Sequence, residues 1–228
     1  MRFDQEGWCC GICPAKRERR LEIARHEVIA AGAEAILIRG VFLGIPSVFK
    51  VRKPKGYRLK ELDEQLRRHR TMLEAKIMRD AKQAGVLCPA VLYVDLDEAT
   101  IVMEHIPGLT LRNTLSSKNT FLLRDLGAMI GKLHSVGIIH GDLTTSNVIL
   151  SRGRLYLIDF GLSFYSNRIE DQGEDIHLLY RCIDSTHPNI YHDGVSLFNK
   201  GYTEVRGAAA APVLKRAGEI YSRGRYRA

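Results

Sequence analysis

From Glu27 to Lys53 apolar and polar positions alternate through "EVIAAGAEAILIRGVFLGIPSVFKVRK", with Gly40, Gly44 and Pro46 as punctuation. A period of two marks strands, and the glycines and proline mark the turns between them. The segment reads as strand, small-residue turn, strand, glycine-containing turn, strand. The period then lengthens. Leu59, Leu62, Leu66, Leu73 and Ile77 recur at helical spacing through 58–85 and Gly85 closes the run, so one long helix is expected with these residues on its apolar face. Two further strand-like runs follow, "AVLYVDL" and "ATIVMEHI". After "PGLTLRNTL", the stretch "FLLRDLGAMIGKLHSVG" (121–137) is a second amphipathic helix ending at Gly137. "NVIL" and "LYLID" flank "SRGR", whose Arg152 and Gly153 suit a tight turn, so this stretch reads as a β-hairpin. The rest is mostly helical, and no internal repeat points to a solenoid. The expected architecture is α+β, with a strand-rich N-lobe at 22–104, a connector near 104–108 and a short helical C-lobe at 105–221. Residues 1–21 read as an N-terminal extension and 222–228 as a basic tail. A cleft is expected between the lobes.

Composition narrows the class without naming it. The 228 residues are 45% hydrophobic and 26% charged, as in ordinary globular proteins. No apolar run approaches the roughly 20 residues needed to cross a bilayer, and the N-terminus lacks a secretory signal core. Five cysteines (Cys9, Cys10, Cys13, Cys88, Cys182) suit reduced thiols, so the expectation is a cytoplasmic protein, with the nucleus as a second compartment. Cys9, Cys10 and Cys13 lack the second ligand pair of a closed zinc site and are read as part of a poorly ordered extension. Net charge is +8, gathered in 14–20, in 50–60 and in the closing "YSRGRYRA". That balance favours a polyanionic partner, nucleic acid above all, against the plainer reading of a solvated basic surface.

The chemistry lies in "HGDLTTSNVIL" (140–150) and "LYLIDFGLS" (155–163). Folding the hairpin about Arg152-Gly153 sets Asn147 beside Ile158 and Asp159 at its open end. Two hard oxygen donors then converge, as magnesium requires, with phosphate and water completing its octahedron. Asp142, five residues before Asn147, reaches the same space and is placed to accept a proton from an attacking hydroxyl or to orient a water. Asp-x4-Asn followed by Asp-Phe-Gly is the catalytic loop and metal loop of protein kinases, so the fold expected is a compact bilobal, protein-kinase-like one. Turn-capping by Asp and Asn does not account for both motifs in this order.

The N-lobe then owes a lysine and a glutamate. Lys50 ends an alternating strand in "SVFKVRK", with Lys53 and Lys55 as competitors beyond the regular strand. Glu74 in "TMLEAKIM" flanks the helix's apolar face, with Glu61 and Glu64 as alternatives. Ile29, Gly32, Ala33, Glu34, Ala35 and Leu37 surround the segment that holds the place of a phosphate-covering loop, although it has one glycine where kinases usually have three. Met103, Glu104 and Ile106 offer packing and backbone groups for an adenine edge.

"GAEA", "PKGYR", "HGDLTTSN", "IDFGLS" and "STHPN", together with the Arg-Gly-Arg tail, closely resemble the small atypical kinase subunit of the KEOPS (EKC) complex, a family called PRPK in animals. The resemblance runs from about Glu22 to the C-terminus. It implies a serine/threonine kinase and ATPase that binds ATP with Mg²⁺, or Mn²⁺ in its place. It also implies partnership with the threonylcarbamoyl-transferase subunit, the other KEOPS subunits and tRNA. Lys50, Glu74 and Asp142 match the family's catalytic positions, Asn147 and Asp159 its metal positions, and Asp175 an aspartate that braces the catalytic loop. The family commonly has Lys, Tyr and Glu where this chain has Gln172, His177 and Tyr180.

Gly141 stands where ordinary protein kinases carry an arginine that pairs with a phosphorylated loop, and no Ala-Pro-Glu follows Asp159. Water or a serine or threonine hydroxyl is therefore expected as phosphate acceptor, rather than an extended peptide read by sequence. Arg223, Arg225 and Arg227 alternate with tyrosine and glycine in a manner suited to RNA. Two other classes compete: a small-molecule phosphotransferase or RIO-type kinase, and a non-catalytic kinase-fold scaffold that binds tRNA or partners.

Overall fold

Successive antiparallel hairpins join β1 (Ala24–Ala31), β2 (Ala35–Phe42) and β3 (Ile45–Arg52) in the computed structural model, which describes residues 24–225. Leu43 and Gly44, at φ 50° and 80°, close the second hairpin as a two-residue turn whose twist suits the strands it joins. β4 (Val91–Asp95) and β5 (Thr100–Glu104) complete a sheet ordered β1-β2-β3-β5-β4. Between β3 and β4 runs α1 (Lys60–Gln83), close to the expected span.

Its buried face differs from the expected one. Leu59 and Leu62 are 76% and 49% exposed, while Asp63, Thr71, Glu74, Ile77, Met78 and Ala81 are buried. The stripe is rotated by about one position because Asp63 and Glu74 turn inward to cations. Arg67 Nε lies 2.8 Å from Asp63, and Arg58 lies 3.5 Å from it. Counting apolar residues cannot register a face set by paired charges.

Past the connector come β6 (Leu109–Thr110), α2 (Leu111–Thr114), α3 (Leu122–Ser135), β7 (Ile138–Ile139), β8 (Val148–Ser151) and β9 (Arg154–Leu157). β10 (Phe164–Tyr165), α4 (Ile169–Thr186), α5 (Tyr191–Arg206) and α6 (Ala210–Arg225) complete the described chain. β8 and β9 form the expected hairpin, with β6 added at its edge, while β7 pairs with β10. Helix α3 packs closely on α5, and α4 on α6. Leu123, Leu126, Ile130, Leu133, Ile176, Leu179, Phe198 and Tyr202 are wholly buried there. The same apolar core continues through Leu157, Phe160 and Met103 to Ile77 and Met78 of α1, so sheet and bundle are welded by one set of contacts. No helix among the described residues is long and apolar enough to cross a membrane.

Candidate active site

Strand periodicity places Lys50 and Arg52 on one face of β3, toward α1. Lys50 Nζ lies 2.6 Å from Glu74 Oε1 and 2.6 Å from Asp159 Oδ1. Burial works against the lysine's charge, but the two carboxylates outweigh it and hold its pKa above the ordinary value. Burial likewise opposes the Asp159 carboxylate, and Lys50 together with the Gly161 amide overcomes it, so that its pKa falls below the ordinary value. Asp159 sits at φ 61°, a left-handed conformation that aspartate tolerates better than most residues and that aims its carboxylate into the cleft. The competitors are engaged elsewhere. Lys53 Nζ donates to the Gly32 carbonyl at 3.1 Å and Lys55 Nζ to the Ala33 carbonyl at 2.6 Å, strapping down the 32–34 turn. Glu61 and Glu64 are exposed at the far end of α1.

His140, Gly141 and Asp142 enter from β7. Asp175 on α4 accepts the His140 amide at 2.9 Å, the Gly141 amide at 2.8 Å and His134 Nε2 at 3.2 Å. Burial would raise its pKa, yet His134 and the ring and amide of His140 bring it below the ordinary value. His140 Nε2 donates to the Ile158 carbonyl at 3.1 Å, and its Nδ1 accepts the Asp142 amide, which ties the catalytic loop to the segment before Asp159. Gly141 lies at φ 80°, and a methyl group on it would run into the Leu162 carbonyl. An arginine there is excluded by backbone geometry alone.

Asn147 Nδ2 donates to both the carbonyl and Oδ2 of Asp142 at 2.9 Å, and the Ile158 amide donates to the Asn147 carbonyl at 2.9 Å, closing the open end of the hairpin as expected. Asn147 and Asp159 line the same cleft, and their side-chain oxygens are hard donors of the kind magnesium takes. Gly32, Ala33, Glu34, Ala35, Leu37, Lys50, Asp142 and Asp159 line a cleft of about 500 Å³. It meets a second, more apolar slot of about 310 Å³ walled by Ile29, Leu37, Val48, Met103, Ile106 and Ile149. Along the connector, the Glu104 and His105 amides are consumed by Ala90 and Pro46. The Ile106 amide has no partner among the described residues.

Behind Asp159 the chain is tied down at once. Ser163 Oγ donates to the His140 carbonyl at 2.7 Å and the Ser166 amide to the Gly137 carbonyl at 2.8 Å. Tyr165 Oη donates to Asp80 of α1 at 2.6 Å, and α4 begins at Ile169.

The RIO domain model matches residues 49–174, over half the chain. KEOPS complex subunit Bud32 of Pyrococcus abyssi is 42% identical over 212 residues, spanning 88% of this chain and 96% of that one. The chain belongs to the Bud32 family. EKC/KEOPS complex subunit Tp53rkb of Mus musculus is 39% identical over 95% of this chain and 93% of its own length. A probable bifunctional tRNA threonylcarbamoyladenosine biosynthesis protein of Methanothermobacter thermautotrophicus is 41% identical over 88% of this chain but only 36% of its own. Among solved structures, the Rio2 kinase–ADP/Mg²⁺–phosphoaspartate complex of Chaetomium thermophilum superposes with a TM-score of 0.63 at 18% identity, covering 90% of this chain and 70% of that one. The fold is thus that of a kinase, and the RIO-type rival and the Bud32 resemblance describe one group.

Gln172, His177 and Tyr180 take structural parts. Gln172 accepts from Arg206 at 3.0 Å, Tyr180 packs edge-on against Phe198 and Tyr221, and His177 lies edge-on to Tyr221. Helix α6 continues through Ser222 to Arg225. The side chains of Arg223 and Arg225, all of Arg227, and Cys9, Cys10 and Cys13 lie outside the described residues. One residue escaped the sequence reading. Arg52 is 5% exposed, lines the larger cleft and reaches Glu74 Oε2 at 2.5 Å. Its signal was the spacing Lys-x-Arg on a strand, which sends both cations to one face.

Proposed function

We propose that this cleft binds Mg²⁺–ATP and transfers the γ-phosphoryl group to water or to a serine or threonine hydroxyl, the protein's own included. The observation that carries the reading is the convergence of Lys50, Glu74, Asp142, Asn147 and Asp159, from four separate segments, on the junction of a polar cleft and an apolar slot. The slot suits an adenine, with the Ile106 amide as hydrogen-bond donor. Lys50 addresses the phosphates while Glu74 keeps its ammonium aimed. Asp142 accepts the acceptor's proton or orients a water. Asn147 Oδ1 and the Asp159 carboxylate would hold magnesium, which neutralises charge on the phosphates; manganese has the same ligand preference. Asp142→Ala should lower turnover about a hundredfold or more while leaving nucleotide binding in place. Asp159→Ala should abolish magnesium-dependent turnover with the fold intact by circular dichroism. Unchanged ATP hydrolysis in both variants would return the protein to the scaffold reading.

We further propose that the chain acts within an assembly of the kind its relatives' names describe, beside the threonylcarbamoyl-transferase subunit, in threonylcarbamoyladenosine formation on tRNA. A chain spanning 96% of a KEOPS complex subunit and the basic closing residues support this. Turnover should rise with tRNA or with the transferase, and not with aminoglycosides or choline.

A further inference from the structure

Glu74 faces two cations. Lys50 takes Oε1 at 2.6 Å and Arg52 takes Oε2 at 2.5 Å, all three side chains being buried. Arg52 does not stop there. Its Nη1 lies 3.9 Å from Glu34 Oε2, in the turn between β1 and β2. Its Nη2 is also 3.8 Å from where a side chain on Gly161 would begin, so the guanidinium borders the Asp159-Phe160-Gly161 loop. One planar fork thus holds the long helix and borders both the covering loop and the rim of the metal loop.

That arrangement is a poor way to gain stability. Arg52 Nε is buried with no hydrogen-bond partner among the described residues, and an orphaned donor of this kind costs folding free energy. Fully buried ion pairs are themselves weak evidence of stabilisation, and an aliphatic side chain would avoid both costs. The geometry instead makes sense as alignment. With Arg52 on Oε2, the Glu74 carboxylate cannot rotate about its own axis, so Oε1 has one place to hold Lys50. Lysine at position 52 has no fork and could serve one carboxylate, not two.

We propose that Arg52 is a positioning residue for phosphoryl transfer, tying Glu34 of the phosphate-covering loop to Glu74 so that loop placement and the aim of Lys50 are set as one unit. The proposal rests on the nucleotide-turnover reading of the cleft. Its contribution is expected in the chemical step more than in ground-state binding.

The test uses the full chain with Mg²⁺–ATP. Arg52→Met should lower kcat about thirtyfold with KM for ATP moving less than about threefold, since misplacing a phosphate-contacting group costs mainly in the transition state. Arg52→Lys should recover little of that loss. Glu34→Gln should lower kcat about fivefold in the native background and have no further effect in Arg52→Met, the coupling expected of two residues in one network. Arg70→Gln removes the other partner of Glu34, at 2.9 Å on the solvent side, and should change kcat less than about twofold. A merely structural arginine would lower the folded fraction without that coupling. Native kcat in Arg52→Met, or a full Glu34→Gln effect on top of it, overturns the proposal. Should Arg52→Met not fold, equal losses from Glu34→Gln and Arg70→Gln overturn it. A native chain as inactive as Asp142→Ala defeats the reading of the cleft and this inference with it, whereas an active native chain with an unaffected Arg52→Met defeats only the inference.

Discussion

Asp175 is buried away from the cleft, yet two backbone amides of the catalytic loop and His134 all end on its carboxylate. Asp175→Asn turns one acceptor oxygen into a donor facing N–H groups, so it should cost about 3 kcal/mol in denaturant unfolding and lower kcat with it. The charge also sets an acid limb. Its folded pKa lies below the ordinary 3.8, so its stabilisation is complete above that value and is lost as pH falls through the folded one. Lys50 is the reverse: its folded pKa lies above the ordinary 10.5, so its contribution is complete below that value and is lost as pH rises through the folded one. Neither group should bend the thermal midpoint between about pH 5 and 9, and a stability transition inside that window traced to either one would contradict the paired cluster. At this scale the sequence was most legible. Asp142, Asn147 and Asp159 announce themselves because their chemistry demands those residue types at short spacing. Arg52 did not, because its partner on α1 is chosen by tertiary approach, and Asp63 did not, because a carboxylate paired to near neighbours in sequence reads as an exposed one.

The close seam between α3 and α5 depends on absent side chains. A methyl group at Gly127 would strike the Phe198 carbonyl, and one at Gly201 the Arg124 carbonyl, so backbone meets backbone with nothing flexible to yield. Gly127→Ala or Gly201→Ala should each destabilise the fold by about 3 kcal/mol or more, read as a lower denaturation midpoint at unchanged m-value. Helix existence in this region was visible from apolar period, and so were the N-terminal hairpins, because alternation and turn residues agreed there. Pairing of α3 with α5 was not visible, since glycine inside a helix reads first as a weakness. The rotated face of α1 failed for a related reason: leucines at 59 and 62 form a stripe that the folded chain leaves in solvent.

One apolar core runs from α1 to α6, and Tyr221 near the end of α6 packs against it. Tyr221 stacks on Tyr191 and donates to Asp184 at 2.8 Å, so the last helix remains anchored if residues 222–228 are removed. Under the proposed RNA contact by Arg223, Arg225 and Arg227, that truncation should weaken tRNA binding and flatten its dependence on log salt by about two units, while nucleotide affinity stays unchanged. Truncated protein that binds tRNA as before would remove the tail from the interface. The segment after Asp159 carries a broader lesson for the whole molecule. Pinned to β7 by its backbone and to α1 by Tyr165, and followed within a few residues by α4, it leaves no span long enough to swing aside or to display a phosphorylated residue. Under the proposed phosphoryl transfer, the described residues hold no movable segment of that kind, and output would be governed by what neighbouring molecules bring to the mouth of the cleft.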